Sequence, residues 1–211
     1  MIARALAILA ILAIASGVAR ADAPVVTAVA ADPSDVSAAI LVGPGGQVYA
    51  PDGHGAWART SAGGIASGAT SAARAGGDVL AAGNALYLWK DGAWSVTPLP
   101  QKGAPIIGVG PAAAAAIGAA IVVRGAKGWT RVPDLSPAPT SVWAASETQV
   151  VAISGGVVWR LRGKAFVRGG PATALAPGPR ALAIAGAQVI DVSANRAIKA
   201  GGEVLAATSA G

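Results

Sequence analysis

Thr140 to Arg168 decides the fold. Within it, Ser141-Val-Trp-Ala-Ala145, Gln149-Val-Val-Ala-Ile153, Val157-Val-Trp-Arg-Leu161 and Ala165-Phe-Val-Arg168 are short apolar runs rich in β-branched and aromatic residues. Ser-Glu-Thr, Ser-Gly-Gly and Arg-Gly-Lys separate them, which are the residue types that close tight turns. Four strands of four or five residues joined by hairpins are therefore predicted here.

The same grammar recurs on either side. The preceding copy has Ile106-Ile-Gly-Val109, Ala112 to Ala116, Ala119-Ala-Ile-Val-Val123 and Trp129-Thr-Arg-Val132. Its Ala tract has helical propensity, but Gly110-Pro111 and Gly118 leave too few residues for a helix, so a strand is expected. Before it stand Asp78-Val-Leu-Ala-Ala82, Ala85-Leu-Tyr-Leu-Trp89 and Trp94-Ser-Val-Thr97, with Asp91-Gly92 as the hairpin turn. The first copy begins near Val26, continues through Ala39-Ile-Leu-Val42 and Gln47-Val-Tyr49, and ends at Trp57. The fifth contains Gln188-Val-Ile-Asp-Val192 and has no aromatic residue.

The bulky residue that opens the last strand falls at Trp57, Trp94, Trp129, Phe166 and Ile198, at steps of 37, 35, 37 and 32 residues. This is the period of a repeated module. The copies span approximately 24–60, 70–98, 104–133, 140–169 and 172–200, and a terminal strand is expected at 203–207. Ala200-Gly-Gly-Glu-Val-Leu-Ala-Ala207 echoes Ala75-Gly-Gly-Asp-Val-Leu-Ala-Ala82. Either the last strand closes a ring with the first copy, or the chain is a fragment of a larger propeller.

Four antiparallel strands in a module of about 36 residues suit a blade of a β-propeller. A β-solenoid needs shorter rungs, and a two-sheet sandwich would not align five anchors. The expected fold is all-β, a propeller of about five four-stranded blades.

Residues 1–21 read as a signal peptide. Arg4 supplies the basic start, Ala5 to Ala15 an uncharged apolar run of 11 residues, and Ala19-Arg20-Ala21 the small residues before a cleavage site after Ala21. That run is too short for the roughly 20 residues that span a bilayer. An exported protein, periplasmic or extracellular, is expected. The chain has no Cys, so neither a disulfide nor a thioether-linked lipid is available. Arg outnumbers Lys by 11 to 5 amid abundant Ala and Gly, the usage of a GC-rich bacterial genome.

Charged residues are only 12% of the chain and unevenly placed. Residues 22–123 carry four basic and six acidic side chains, whereas residues 124–211 carry ten basic and four acidic. Arg124, Lys127, Arg160, Arg162, Lys164 and Arg168 fall in the hairpins of the third and fourth copies. They form the candidate binding sector for an anionic protein, glycan or peripheral membrane surface of the cell envelope; nucleic acid is not expected. Arg also follows the anchor by two residues at Arg59, Arg131 and Arg168, on the anchor's own face of the strand, where it would protect the edge or cover the ring.

Tyr49-Ala-Pro-Asp-Gly-His-Gly-Ala-Trp57 and Leu86-Tyr-Leu-Trp-Lys-Asp-Gly-Ala-Trp94 resemble the strand, Asp-Gly turn and Trp of secreted bacterial β-propellers with BNR, photosynthesis-assembly-factor-like or WD40-like repeats. The resemblance implies a propeller, and the motif implies a held hairpin rather than an activity. For the sialidases among Asp-box proteins it further implies an Arg cluster, a Tyr nucleophile and a partner Glu. This chain offers only Glu147 and Glu203, with Tyr49 and Tyr87 inside repeat strands.

His54, the single His, has no second metal-ligating residue at suitable spacing, and no phosphate-binding loop or nucleophile elbow is present. No catalytic residue, metal or cofactor is expected. Trp57, Trp94 and Trp129 occupy equivalent packing positions. Trp89, Trp143 and Trp159 are less bound by the repeat, and Trp143 is the ring best placed to stack on a sugar, should the propeller be lectin-like or a degenerate glycosidase.

Overall fold

The computed structural model describes residues 26–30, 39–61, 66, 68–75, 78–194 and 196–199. The proposed signal peptide and the strand expected at 203–207 lie outside them. Every regular element described is a strand. The first sheet holds β1 (Ala28–Ala30), β2 (Ile40–Val42), β3 (Val48–Pro51) and β4 (Trp57–Ser61), and the second β5 (Ser71–Ala75), β6 (Asp78–Ala82), β7 (Leu86–Lys90) and β8 (Ala93–Thr97). The third comprises β9 (Ile106–Ile107), β10 (Ala114–Ile117), β11 (Ala120–Gly125) and β12 (Gly128–Val132). In the fourth are β13 (Pro139–Ser146), β14 (Gln149–Ser154), β15 (Val157–Arg162) and β16 (Ala165–Pro171), and in the fifth β17 (Ala174–Ala176), β18 (Leu182–Ala185), β19 (Gln188–Asp191) and β20 (Arg196–Lys199).

Each sheet takes its four strands in sequence order, all neighbours antiparallel. Five consecutive four-stranded blades make this an all-β propeller. Tight turns follow from local chemistry: Asp91 and Gly92 have φ of 52° and 80°, the left-handed pair that a two-residue hairpin requires.

Successive blades bury one face each against the next. Ala28 and Val42 meet Ala81 and Tyr87, with Trp94 packed over them. Leu80, Leu86 and Leu88 meet Ala113, Ala115 and Val122 under Trp129. Ile121 and Val123 meet Val142, Ala144 and Val150 under Phe166. Trp143, Val151 and Val158 meet Leu175 and Ala183. Each of these three anchors thus seals the interface with the preceding blade. Trp57 is half-buried, and Ile198 pairs with Val189 in the ladder, its side chain lying outside the described residues.

The Ala tract is a strand because both of its faces are covered: all four residues of β10 are buried, Ala115 against the second blade and Ala114 and Ala116 against the fourth. Its boundaries differ from those predicted. Ala112 leaves the ladder, its N–H donating to the Ala144 carbonyl at 2.9 Å, and Val109 likewise donates to Val142 at 2.9 Å. The link between β9 and β10 therefore runs beside β13, which shortens β9 to two residues. A Cβ at Gly110 would strike the Ala144 backbone, so this approach requires glycine. Gly178, from the fifth blade, closes over the same place by donating to the Val109 carbonyl at 3.2 Å.

Candidate functional site

The structure places the six candidate cations in different environments. Arg124 is half-buried, and its guanidinium meets the Asp78 carboxylate at 2.7 Å across the second and third blades. Arg160 donates from Nη1 to the Val192 carbonyl at 2.7 Å, tying the fourth blade to the fifth. Both are inter-blade fasteners. Lys127, Arg162, Lys164 and Arg168 are exposed at the hairpins of the third and fourth blades, and no acidic side chain engages them among the described residues.

Register separates these cations further. Arg162 lies opposite Ala165 and Arg160 opposite Val167, whereas Arg168 lies opposite Trp159. Side chains of directly opposed residues share a face, so Arg160 and Arg162 look toward the fifth blade and Arg168 away from it. Lys164 occupies the turn between them. The outer hairpin of the fourth blade thus presents positive charge on both faces and at its tip.

Arg131, expected at the edge like Arg168, is instead held by a bidentate ion pair with Asp134, at 2.6 to 3.1 Å. Glu147, on the β13–β14 turn, accepts from Thr130 Oγ1 at 2.5 Å. Asp134 is thus paired, whereas Glu147 keeps its charge beside the hairpin of the third blade.

Trp143 differs from its expected role as a sugar platform. It is 5% exposed and packs among Val151, Val158 and Leu175, and its indole N–H donates to the Gly178 carbonyl at 2.9 Å. The fifth blade covers the ring and leaves no face for a ligand. Trp89 and Trp94 pack on each other with centroids 5.3 Å apart, and Trp159 donates to the Ser154 carbonyl at 3.2 Å.

His54 lies exposed in a turn that Asp52 holds by accepting the backbone N–H of His54 at 2.8 Å and of Ala56 at 3.0 Å. These two bonds hold the turn between β3 and β4. No group of three or more His, Cys, Asp or Glu among the described residues could hold a metal ion.

One feature escaped the reading of the sequence. An open groove of about 640 Å3 lies between the β6–β7 turn and the link after β8, lined by Asn84, Val96, Pro98, Leu99, Pro100 and Lys102 among others. Val96 stands where the neighbouring blades carry Arg and is 54% exposed. Pro98 and Pro100 were the available signal, since proline stiffens the link that lines the groove.

No protein-family model matches the chain, and no curated protein matches it. Among solved structures it is similar to PorZ, an essential bacterial surface component of the type-IX secretion system of Porphyromonas gingivalis, at 15% identity and a TM-score of 0.50, over 86% of this chain and 28% of PorZ. The computationally designed protein Ika8 matches at 14% identity and a TM-score of 0.56, over 88% of this chain and 65% of Ika8. A chain of the Mitotic Checkpoint Complex matches at 10% identity and a TM-score of 0.55, over 90% of this chain and 74% of that one. The chain thus spans just over a quarter of PorZ. These likenesses, with the five four-stranded sheets, establish the propeller fold.

Proposed function

We propose that the chain is an exported, non-enzymatic binding or scaffolding module of the bacterial envelope, periplasmic or extracellular, which docks an anionic partner on the outer hairpins of its third and fourth blades. One observation carries this reading: Lys127, Arg162, Lys164 and Arg168 are exposed at adjacent hairpins, and no acidic side chain among the described residues forms an ion pair with them. Unpaired cations on rigid hairpins attract anions at long range, and the attraction is screened as salt approaches physiological strength.

The test is retention on immobilised polyglutamate across a salt gradient. Reversing Arg162 and Lys164 together to Glu is expected to lower the eluting salt concentration substantially. Reversing Lys90 and Lys102, exposed on and after the second blade, changes net charge equally and is expected to matter much less. Equal losses in the two variants would mean that net charge alone drives retention, and the sector would have no part. Arg160 is unsuitable for reversal, because its bond to Val192 holds two blades together.

A further inference from the structure

We propose that β16 is a docking edge for an extended acidic peptide, which adds to the fourth blade as a fifth strand. This deepens the proposed function and rests on the basic sector being the binding surface.

Among the described residues β16 is the outermost strand of its sheet and pairs with β15 alone. It spans seven residues, of which Ala165–Arg168 pair in regular register before a shift that brings Pro171 opposite Val157. An antiparallel ladder turns the N–H and C=O of every second residue outward. Gly163 has φ of 60° at the first position of the two-residue turn, and Arg162 and Ala165, flanking that turn, are a pair in the ladder. Counted from there, Val167 bonds inward, and Phe166 and Arg168 offer their backbone groups to an incoming strand.

The side chains define what that strand must be. Val167 is 53% exposed on one face, and Arg168 is exposed on the other. Arg162 and Lys164 stand at the turn end. Beyond Arg168 the register shifts, and a Cβ at Gly170 would meet nothing within 4 Å. An edge Arg repels basic partners and discourages nonspecific pairing, but the same charge attracts an acidic strand, whose carboxylates fall opposite it in the extended ladder. Two of the other outer strands lack this combination: Arg131 on β12 is bound to Asp134, and β8 carries Val96 in place of Arg. Backbone pairing would supply affinity and the cations would select the sequence, as in other cases of strand addition.

Fluorescence anisotropy with a labelled, end-blocked eight-residue peptide of alternating Glu and Val tests this, using the wild type, Arg168→Gln and Arg168→Pro. Both variants lose the charge, but only proline removes the outward N–H, and proline is tolerated on edge strands. Arg168→Gln is expected to weaken binding about threefold, and Arg168→Pro at least a further fivefold, the worth of about one hydrogen bond. Equal weakening in the two variants would overturn strand addition while leaving the basic sector standing. Absence of peptide binding to the wild type would also overturn it, and polyglutamate retention would then show separately whether the sector binds anions. Hydrogen exchange on the wild type removes dependence on the folding of the proline variant. The Phe166 and Arg168 amides should gain protection when peptide is added, and unchanged exchange there would overturn the proposal.

Discussion

Replacing Gly110 by Ala is expected to destabilise the protein by about 3 kcal/mol, the upper range for overpacking a filled core. A Cβ there would lie 2.6 Å from the Ala144 amide nitrogen and 2.8 Å from its carbonyl carbon. Both atoms are backbone, so no rotamer change relieves the clash. Moving β13 away would stretch the bonds from Ala112 to Ala144 and from Val109 to Val142, which join the third blade to the fourth. Gly170→Ala is the control: its Cβ would meet nothing within 4 Å, and its effect should stay within about 0.5 kcal/mol. Denaturant midpoints of the two variants decide the matter. Similar midpoints would mean that the close approach of β13 to the β9–β10 link is wrong.

Trp143→Ala should cost about 3 to 5 kcal/mol, as expected when a buried aromatic ring leaves a cavity. The ring fills the interface of the fourth and fifth blades, and its loss also strands the Gly178 carbonyl. Trp143→Phe keeps most of the apolar area and gives up the hydrogen bond, so about 1 kcal/mol of the loss should remain beyond the difference in size. Polyglutamate retention of the folded Phe variant should match the wild type. A large loss of retention with unchanged stability would return Trp143 to the ligand-contacting residues.

Where blades carry Val, Ile and Trp at alternating positions, their strands are legible in the sequence. The Gln149, Val157 and Ala165 runs begin where β14, β15 and β16 begin. Ser71-Ala-Ala-Arg-Ala75, which forms β5, escaped notice because it contains no β-branched or aromatic residue. It is a strand because it pairs along its whole length with β6 and packs against the first blade, a tertiary effect that local propensity does not encode. β17, only Ala-Leu-Ala, is hidden for the same reason.

The site was legible as composition and not as arrangement. Arg124 and Lys127 stand three residues apart, yet one is held by Asp78 from another blade and the other is exposed. The partner lies 46 residues away in sequence, at a distance only the stacking of blades resolves. Trp143 is similar: nothing in its own copy shows that Gly178 from the next one will cap it. Repetition specifies the blade, and what each exposed position does depends on which neighbouring blade reaches it.

Equilibrium unfolding of residues 22–211, followed in parallel by Trp fluorescence and far-ultraviolet circular dichroism, tests most directly whether the five blades form one propeller. The Trp residues report on the first four blades, whereas backbone dichroism reports on all five. The account predicts coincident, cooperative transitions by the two probes, because each sheet depends on its neighbours to bury its faces. Separate transitions, with dichroism lost in a distinct step from fluorescence, would contradict it and show blades that fold independently.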